Sequence, residues 1–155
     1  MIEFRKINID DHIDICIEFR KDSYVSSFPG SDDWKIHWDK EEYASWLKAH
    51  ASKFPEGVWH VWKDKEIIGQ LEFAYMGNSG HINLYYLKED CRGKGYSVEL
   101  QDHVVSVLRS KGCTSATLRV SPTNIRARKY YEKLGWKDCG TDEKYSYVHL
   151  YKLNL

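Results

Sequence analysis

The sequence predicts a mixed fold of the α/β (α+β) class, a largely antiparallel central sheet flanked by helices in the order β-α-α-β-β-β-α-β-α-β-β. Three observations carry this. Several segments alternate apolar and polar residues as half-buried strands do. Others repeat apolar residues at helical spacing. Glycine- or proline-containing turns separate them so that hairpins fill the middle and a strand-helix-strand crossover follows.

Residues 2–7, "IEFRKI", alternate as a strand, and a helix signal follows Asp10-Asp11 with Ile13, Cys16 and Ile17 on one face. The stretch "SSFPGSDDWKIHW" reads as a loop broken at Pro29-Gly30, with Ser31-Asp32-Asp33 as a turn or cap. Tyr43, Trp46, Leu47 and His50 stand at i, i+3, i+4 and i+7, so a second helix runs from about Lys40 until Pro55 stops it. "GVWHVW" and "EIIGQLEFAY" form a hairpin around Lys63-Asp64-Lys65, residues 76–80 turn, and "HINLYYL" is the next strand. Leu100, Val104, Val107 and Leu108 stripe a helix that Gly112 closes. "TSATLRV" is a strand. Ala127, Tyr130, Tyr131 and Leu134 share a helix face that ends at Gly135, and "KYSYVHLYKL" alternates as a final strand.

With 155 residues and no linker or repeat, residues 1–155 are expected to form a single domain. Lysine plus arginine and aspartate plus glutamate both number 23, so no overall field draws the protein to nucleic acid or an anionic membrane. Cys16, Cys91, Cys113 and Cys139 form neither a CxxC pair nor a disulfide framework, and the histidines lack zinc-ligand spacing. No apolar run has signal-peptide or membrane-spanning length, so the expected location is the cytoplasm; from the histidine spacing, no metal is expected. Aromatic residues make up 14%, more than a small core needs for filling.

Any anion site must therefore be local, and "CRGKGYS", Cys91 to Ser97, offers one. A glycine-rich turn into a helix presents unobstructed backbone N–H groups in front of the positive end of the helix dipole. A Walker loop would require GxxxxGK[ST], and a dinucleotide fingerprint would require glycine where Val98 stands, so both fail on spacing. A tight turn with a solvated Lys94 is the plain alternative.

Arg92-x-x-Gly95-x-Ser97 resembles the Q/R-x-x-G-x-G/A signature of the GNAT superfamily of acyl-CoA N-acyltransferases, with Ser97 in place of the usual glycine or alanine. Downstream, Asn124-x-x-Ala127-x-x-x-Tyr131-Glu132-Lys133-Leu134-Gly135-Trp136 is similar to that family's N-x-x-A-x-x-x-Y-E-K-L-G-F segment. The element order agrees with the family's, least clearly before residue 57.

The resemblance implies acetyl-CoA as co-substrate. Its pyrophosphate would lie on Arg92, Gly93, Lys94, Gly95, Tyr96 and Ser97, and its pantetheine arm against the backbone of Tyr86 and Leu87, with Asn124 and Ala127 on the second side. The Leu87 N–H would face the thioester oxygen, and Tyr131 would protonate the departing thiolate. Periodicity alone would make Tyr131 a core residue. For the base, counting back eleven positions from Arg92, where one branch of the family has glutamate, reaches His81. His81 is expected to share a strand face with Asn83, Tyr85 and Leu87. Glu72 on the adjacent strand is the second candidate; both could equally be ordinary strand residues.

The family's acceptor region corresponds to residues 28–38 and 144–151, which supply Asp32, Asp33, Trp34, Trp38, Tyr145 and Tyr147. Carboxylates beside aromatic faces suit a cationic amine, and a solvated loop anchored by tryptophans is the alternative. The expected function is direct acetyl transfer to the amine of a small molecule or peptide. A non-catalytic CoA-binding module is the second reading. A nucleotide or nucleic-acid binder using Arg92, Lys94, Arg126, Arg128, Lys129 and Lys133 is disfavoured by zero net charge. Whether a homodimer forms stays open.

Overall fold

The computed structural model describes residues 1–155. The observed elements are β1 (Ile2–Lys6), α1 (Ile9–Ser27), a short α2 (Trp34–His37), α3 (Lys40–Lys53), β2 (Val58–Lys63), β3 (Glu66–Met76), β4 (Ser79–Leu87), α4 (Tyr96–Ser110), β5 (Ser115–Val120), α5 (Ile125–Lys133), β6 (Lys137–Thr141) and β7 (His149–Asn154). A single 3-10 turn at Glu89–Cys91 leads into the glycine loop. The seven strands form one sheet in the order β1-β2-β3-β4-β5-β7-β6, antiparallel everywhere except between β4 and β5. This is the predicted mixed sheet. No helix is long and apolar enough to cross a membrane.

Adjacent residues of β3 enter different cores, which shows how the sheet separates two helical layers. Ile68, Leu71 and Phe73 join Leu100, Val104 and Leu108 of α4, with Ala127, Tyr131 and Leu134 from the α5 segment at the margin. Ile67 joins Phe19 of α1 with Leu84 and Tyr86 of β4, and Cys16 of α1 packs with Tyr43 and Leu47 of α3. Covered on both faces, β3 is buried without a break from Ile67 to Phe73, the polar Gln70 and Glu72 included.

Three expectations need correction. The N-cap of α1 is Asn8, whose Oδ1 accepts from the Asp11 amide at 3.2 Å, with Asp10 and Asp11 in the first turn where the dipole favours acids. The segment before Trp38 contains α2, too short to leave a periodic signal. The predicted strand over residues 144–153 begins only at His149, because the Asp142 carboxylate accepts from the amides of Lys144 and Tyr145 at 3.0 and 2.9 Å and folds those residues into a turn. Alternating tyrosines resemble a strand, but a carboxylate just upstream offers the backbone a competing partner.

Candidate active site at the parting of two parallel strands

β4 and β5 are bonded only from Ser79–Ile82 to Ser115–Leu118, although β4 continues to Leu87 and β5 to Val120. Beyond those pairs the strands part. This opening at the carboxyl ends of parallel strands is where mixed sheets commonly take ligands. β4 stays paired with β3 throughout, but the register shifts between Glu72, opposite Leu84, and Phe73, opposite Ile82, so Asn83 is the extra residue of a β-bulge.

The bulge overturns one expected grouping. A strict two-residue period puts His81, Tyr85 and Leu87 on one face, but across the extra residue the faces exchange. Ile82, Tyr85 and Leu87 all lie against the α4 and α5 core, while Leu84 and Tyr86 pack on Phe19 of α1. His81 is therefore on the opposite face from Tyr85 and Leu87.

Lys88 donates its amide to Ile68 of β3 at 2.8 Å, so strand alternation turns the Tyr86 backbone to β3 and that of Leu87 to the open edge. The Leu87 carbonyl accepts from Arg92 Nε at 2.7 Å. Its N–H lies along the open edge. Tyr86, by contrast, has its backbone turned into the sheet and its hydroxyl on Asp22 at 2.5 Å.

The glycine loop lies at the mouth of this opening. Gly93 and Gly95 hold φ of 75° and 86°, which side-chain-bearing residues resist, and open space lies where their Cβ atoms would be. Gly95 caps α4 without any side-chain bond, so the first amides of a fifteen-residue helix are left for an anion. Lys94 is exposed, and the Lys63 ammonium sits 5.5 Å above the Tyr96 ring. Arg92 points back, with Nη2 3.5 Å from Asp22 of α1 as well as the bond to Leu87. Its side chain fastens the loop to β4 and α1, so the amides and Ser97 at the start of the helix, rather than this guanidinium, face the open side of the loop.

Across the opening, Asn124 caps α5 by accepting from the Ala127 amide at 3.2 Å, so its Oδ1 is occupied and its amide nitrogen is free. Tyr131 stands among Tyr85, Trp136 and Tyr151, with ring centroids 6.1, 6.2 and 6.5 Å away. Its hydroxyl makes no side-chain or backbone hydrogen bond, and burial pushes the phenol well above its ordinary value, keeping it protonated. The Tyr85 hydroxyl beside it is fully buried without a partner. Sequence reasoning did not single out Tyr85, because its contact with Tyr131 depends on the bulge.

The two base candidates lie in internal networks. His81 Nδ1 bonds Thr117 Oγ1 at 2.9 Å, and Nε2 receives the Arg119 guanidinium at 3.1 Å, so Nε2 must be the acceptor and the proton sits on Nδ1. Burial, with the Arg119 charge beside it, lowers its pKa to about 4. Arg119 also pairs with Asp142 at 3.3 Å, which links β5 to the turn before β7. Glu72 is fully buried; Tyr43 and Gln70 donate to its Oε2, and Arg20 lies 3.5 Å from Oε1. Nothing local in the sequence signals Arg119 or Arg20, each of which acts across elements far apart in the chain.

The acceptor candidates separate into two groups. Tyr147 stacks on His37 of α2 at 4.7 Å, the Arg119 guanidinium lies 5.0 Å from the Tyr145 ring, and Trp38 packs between Tyr24 and Tyr43. Tyr145 and Tyr147 thus tie the turn before β7 to β5 and α2, and Trp38 ties α1 to α3. Asp32, Asp33 and Trp34 lie on the outer side: Asp32 pairs with Lys35 at 3.6 Å, the Asp33 amide donates to Ser31, and Trp34 lies 5.7 Å from the Lys21 ammonium.

The buried histidines also make stability depend on pH. His60 Nε2 bonds Gln70 at 2.9 Å, its Nδ1 is buried without a partner, and burial lowers its pKa to about 4, as for His81. Between the unfolded value near 6.5 and about 4 the unfolded chain binds more protons, so stability is complete above about pH 6.5 and is lost as pH falls toward 4. The thermal midpoint should be flat above that value and fall below it. His60→Gln should remove part of the slope, by up to roughly 3 kcal/mol for a shift of this size. An unchanged slope would contradict the burial account.

Comparison with known proteins agrees with this fold. A family model described as Acetyltransferase (GNAT) family matches residues 16–136. An uncharacterized N-acetyltransferase of Methanocaldococcus jannaschii is 25% identical over 88 residues, a match spanning 56% of this chain and 56% of that protein. The chain therefore matches little more than half the length of that curated relative. The PaiA N-acetyltransferase of Thermoplasma acidophilum, solved with coenzyme A, superposes with a TM-score of 0.85 at 22% identity, covering 100% of this chain and 99% of that one. A spermidine N-acetyltransferase from Vibrio cholerae, solved with CoA and spermine, gives a TM-score of 0.71 at 15% identity, covering 99% of this chain and 95% of that one.

Proposed function

Since the chain belongs to the GNAT family of acetyltransferases, we propose that it acts as a single domain to move an acetyl group from acetyl-CoA directly to an amine. One observation carries this reading: the parted β4 and β5 expose the Leu87 amide edge beside the uncapped N-terminus of α4 and within the same core as Tyr131.

The pyrophosphate sits on the loop amides from Gly93 to Ser97, and the pantetheine arm lies along the open edge of β4 as an added strand. The Leu87 N–H donates to the thioester oxygen as it becomes an oxyanion. The neutral amine attacks the carbonyl carbon, the carbon–sulfur bond breaks, and the Tyr131 phenol gives its proton to the thiolate. Of the two base candidates, Glu72 keeps Oε1 without a hydrogen bond, whereas both His81 nitrogens are engaged. That oxygen is fully buried and faces Arg20 at 3.5 Å, so neither candidate stands open to the amine; the amine gives up its proton to water, and His81 orders the acceptor wall through Arg119. Direct transfer of this kind calls for no metal. Tyr145, Tyr147 and Trp38 line the acceptor side, and aromatic faces there suit an alkylammonium that arrives charged and loses a proton.

Amine-dependent release of free CoA thiol from acetyl-CoA, measured across small amines and peptide N-termini, tests the proposal. Thiol release with at least one amine is expected. Because both base candidates are held in internal networks, a CoA-binding module without catalysis is the second reading. Tight acetyl-CoA binding with silence across the panel would favour it.

A further inference from the structure

The bulge at Asn83 and the parting of β4 from β5 occur at the same place: Ile82 is the last residue of β4 paired with β5, and Asn83 is the next. The side chain that holds this point comes from another layer. Arg20 of α1 donates from Nη1 to the Asn83 carbonyl at 2.8 Å and pairs with Glu72 Oε1, on the β3 residue at the register shift, at 3.5 Å. Tyr24 and Tyr43 flank the guanidinium at 5.2 and 5.8 Å, and Tyr43 and Gln70 hold the other Glu72 oxygen.

Stability alone does not account for this arrangement. Glu72 is fully enclosed and the Arg20 side chain is 16% exposed, and a buried ion pair adds little over apolar residues of the same size. Arg20 Nε, Glu72 Oε1 and Asn83 Oδ1 are all buried without a hydrogen bond, so the cluster is incompletely satisfied. What the charge does achieve is to satisfy a carbonyl displaced from the β-ladder and to fix the bulge against β3.

We propose that Arg20 is a positioning residue that clamps the bulged carbonyl of β4 and thereby sets the opening between β4 and β5 that receives the acyl-CoA arm; this rests on the acetyltransferase reading of the cleft. Arg20 touches neither the glycine loop nor Tyr131. It acts by holding the strand whose open edge aims the Leu87 amide.

Arg20→Met, Glu72→Gln and their double variant separate clamping from stability, with thermal midpoint and calorimetric CoA affinity as readouts. Arg20→Met alone leaves a buried unpaired carboxylate and should lower both. The double variant removes both charges and should regain most of the midpoint, yet bind CoA roughly tenfold or more weakly, because the strand edge is no longer held in register. Arg20→Lys, which keeps a donor for the Asn83 carbonyl, should recover part of the affinity. CoA affinity is independent of any role of Glu72 as a base. A double variant, or Arg20→Met itself, that binds CoA like the wild type overturns the clamp. If the wild type does not bind CoA, the acetyltransferase reading fails and the clamp with it.

Discussion

Tyr131→Phe is expected to lower kcat about 100-fold while acetyl-CoA affinity stays within about threefold of wild type, the size typical of losing a positioned general acid. The Tyr131 ring is part of the α4 and α5 core and packs near Tyr85, Trp136 and Tyr151, all contacts that phenylalanine retains. Its hydroxyl makes no hydrogen bond within the protein, so removing it breaks none. A purely structural tyrosine would give a variant of equal or greater stability and equal activity. A proton donor gives equal stability with a slower chemical step, because the thiolate then leaves without a proton. Single-turnover thiol release isolates that step from product release. An unchanged single-turnover rate would remove the acid role.

The second large effect concerns the loop. Gly95→Ala should weaken acetyl-CoA binding by about tenfold or more, because φ of 86° costs an L-residue roughly 1–2 kcal/mol and relaxing it re-aims the amides at the start of α4. Gly112→Ala provides the control. It carries comparable strain, φ of 82° with open space around its Cβ position, at the other end of the same helix. Both variants should lose similar thermal stability, and only Gly95→Ala should lose affinity. Equal affinity losses would show that the loop effect is global strain.

Where sequence and structure agree and disagree follows from the range of the interactions. The glycine loop was legible because Gly93, Gly95 and Gly112 stand where left-handed backbone demands them. Element order was legible because apolar periodicity responds to burial on one face. The bulge at Asn83 was not, since a period of two assumes no extra residue, and its consequences for His81 and Tyr85 were lost with it. Glu72 and His81 looked alike as polar residues on adjacent strands. They differ through Arg20 and Arg119, partners 52 and 38 positions away in the chain. Tyr145 and Tyr147 were named only through the family resemblance, and their approach to Arg119 and His37 was not legible because it depends on the turn built by Asp142.

The central claim is that the opening between β4 and β5, with the glycine loop at its mouth, holds acetyl-CoA. Calorimetric titration of the wild-type chain with acetyl-CoA, alongside ATP, tests it most directly. Saturable binding of one acetyl-CoA per chain, much tighter than ATP and weakened by Gly95→Ala, is the predicted result. No binding of acetyl-CoA, or binding indifferent to Gly95→Ala, would contradict it.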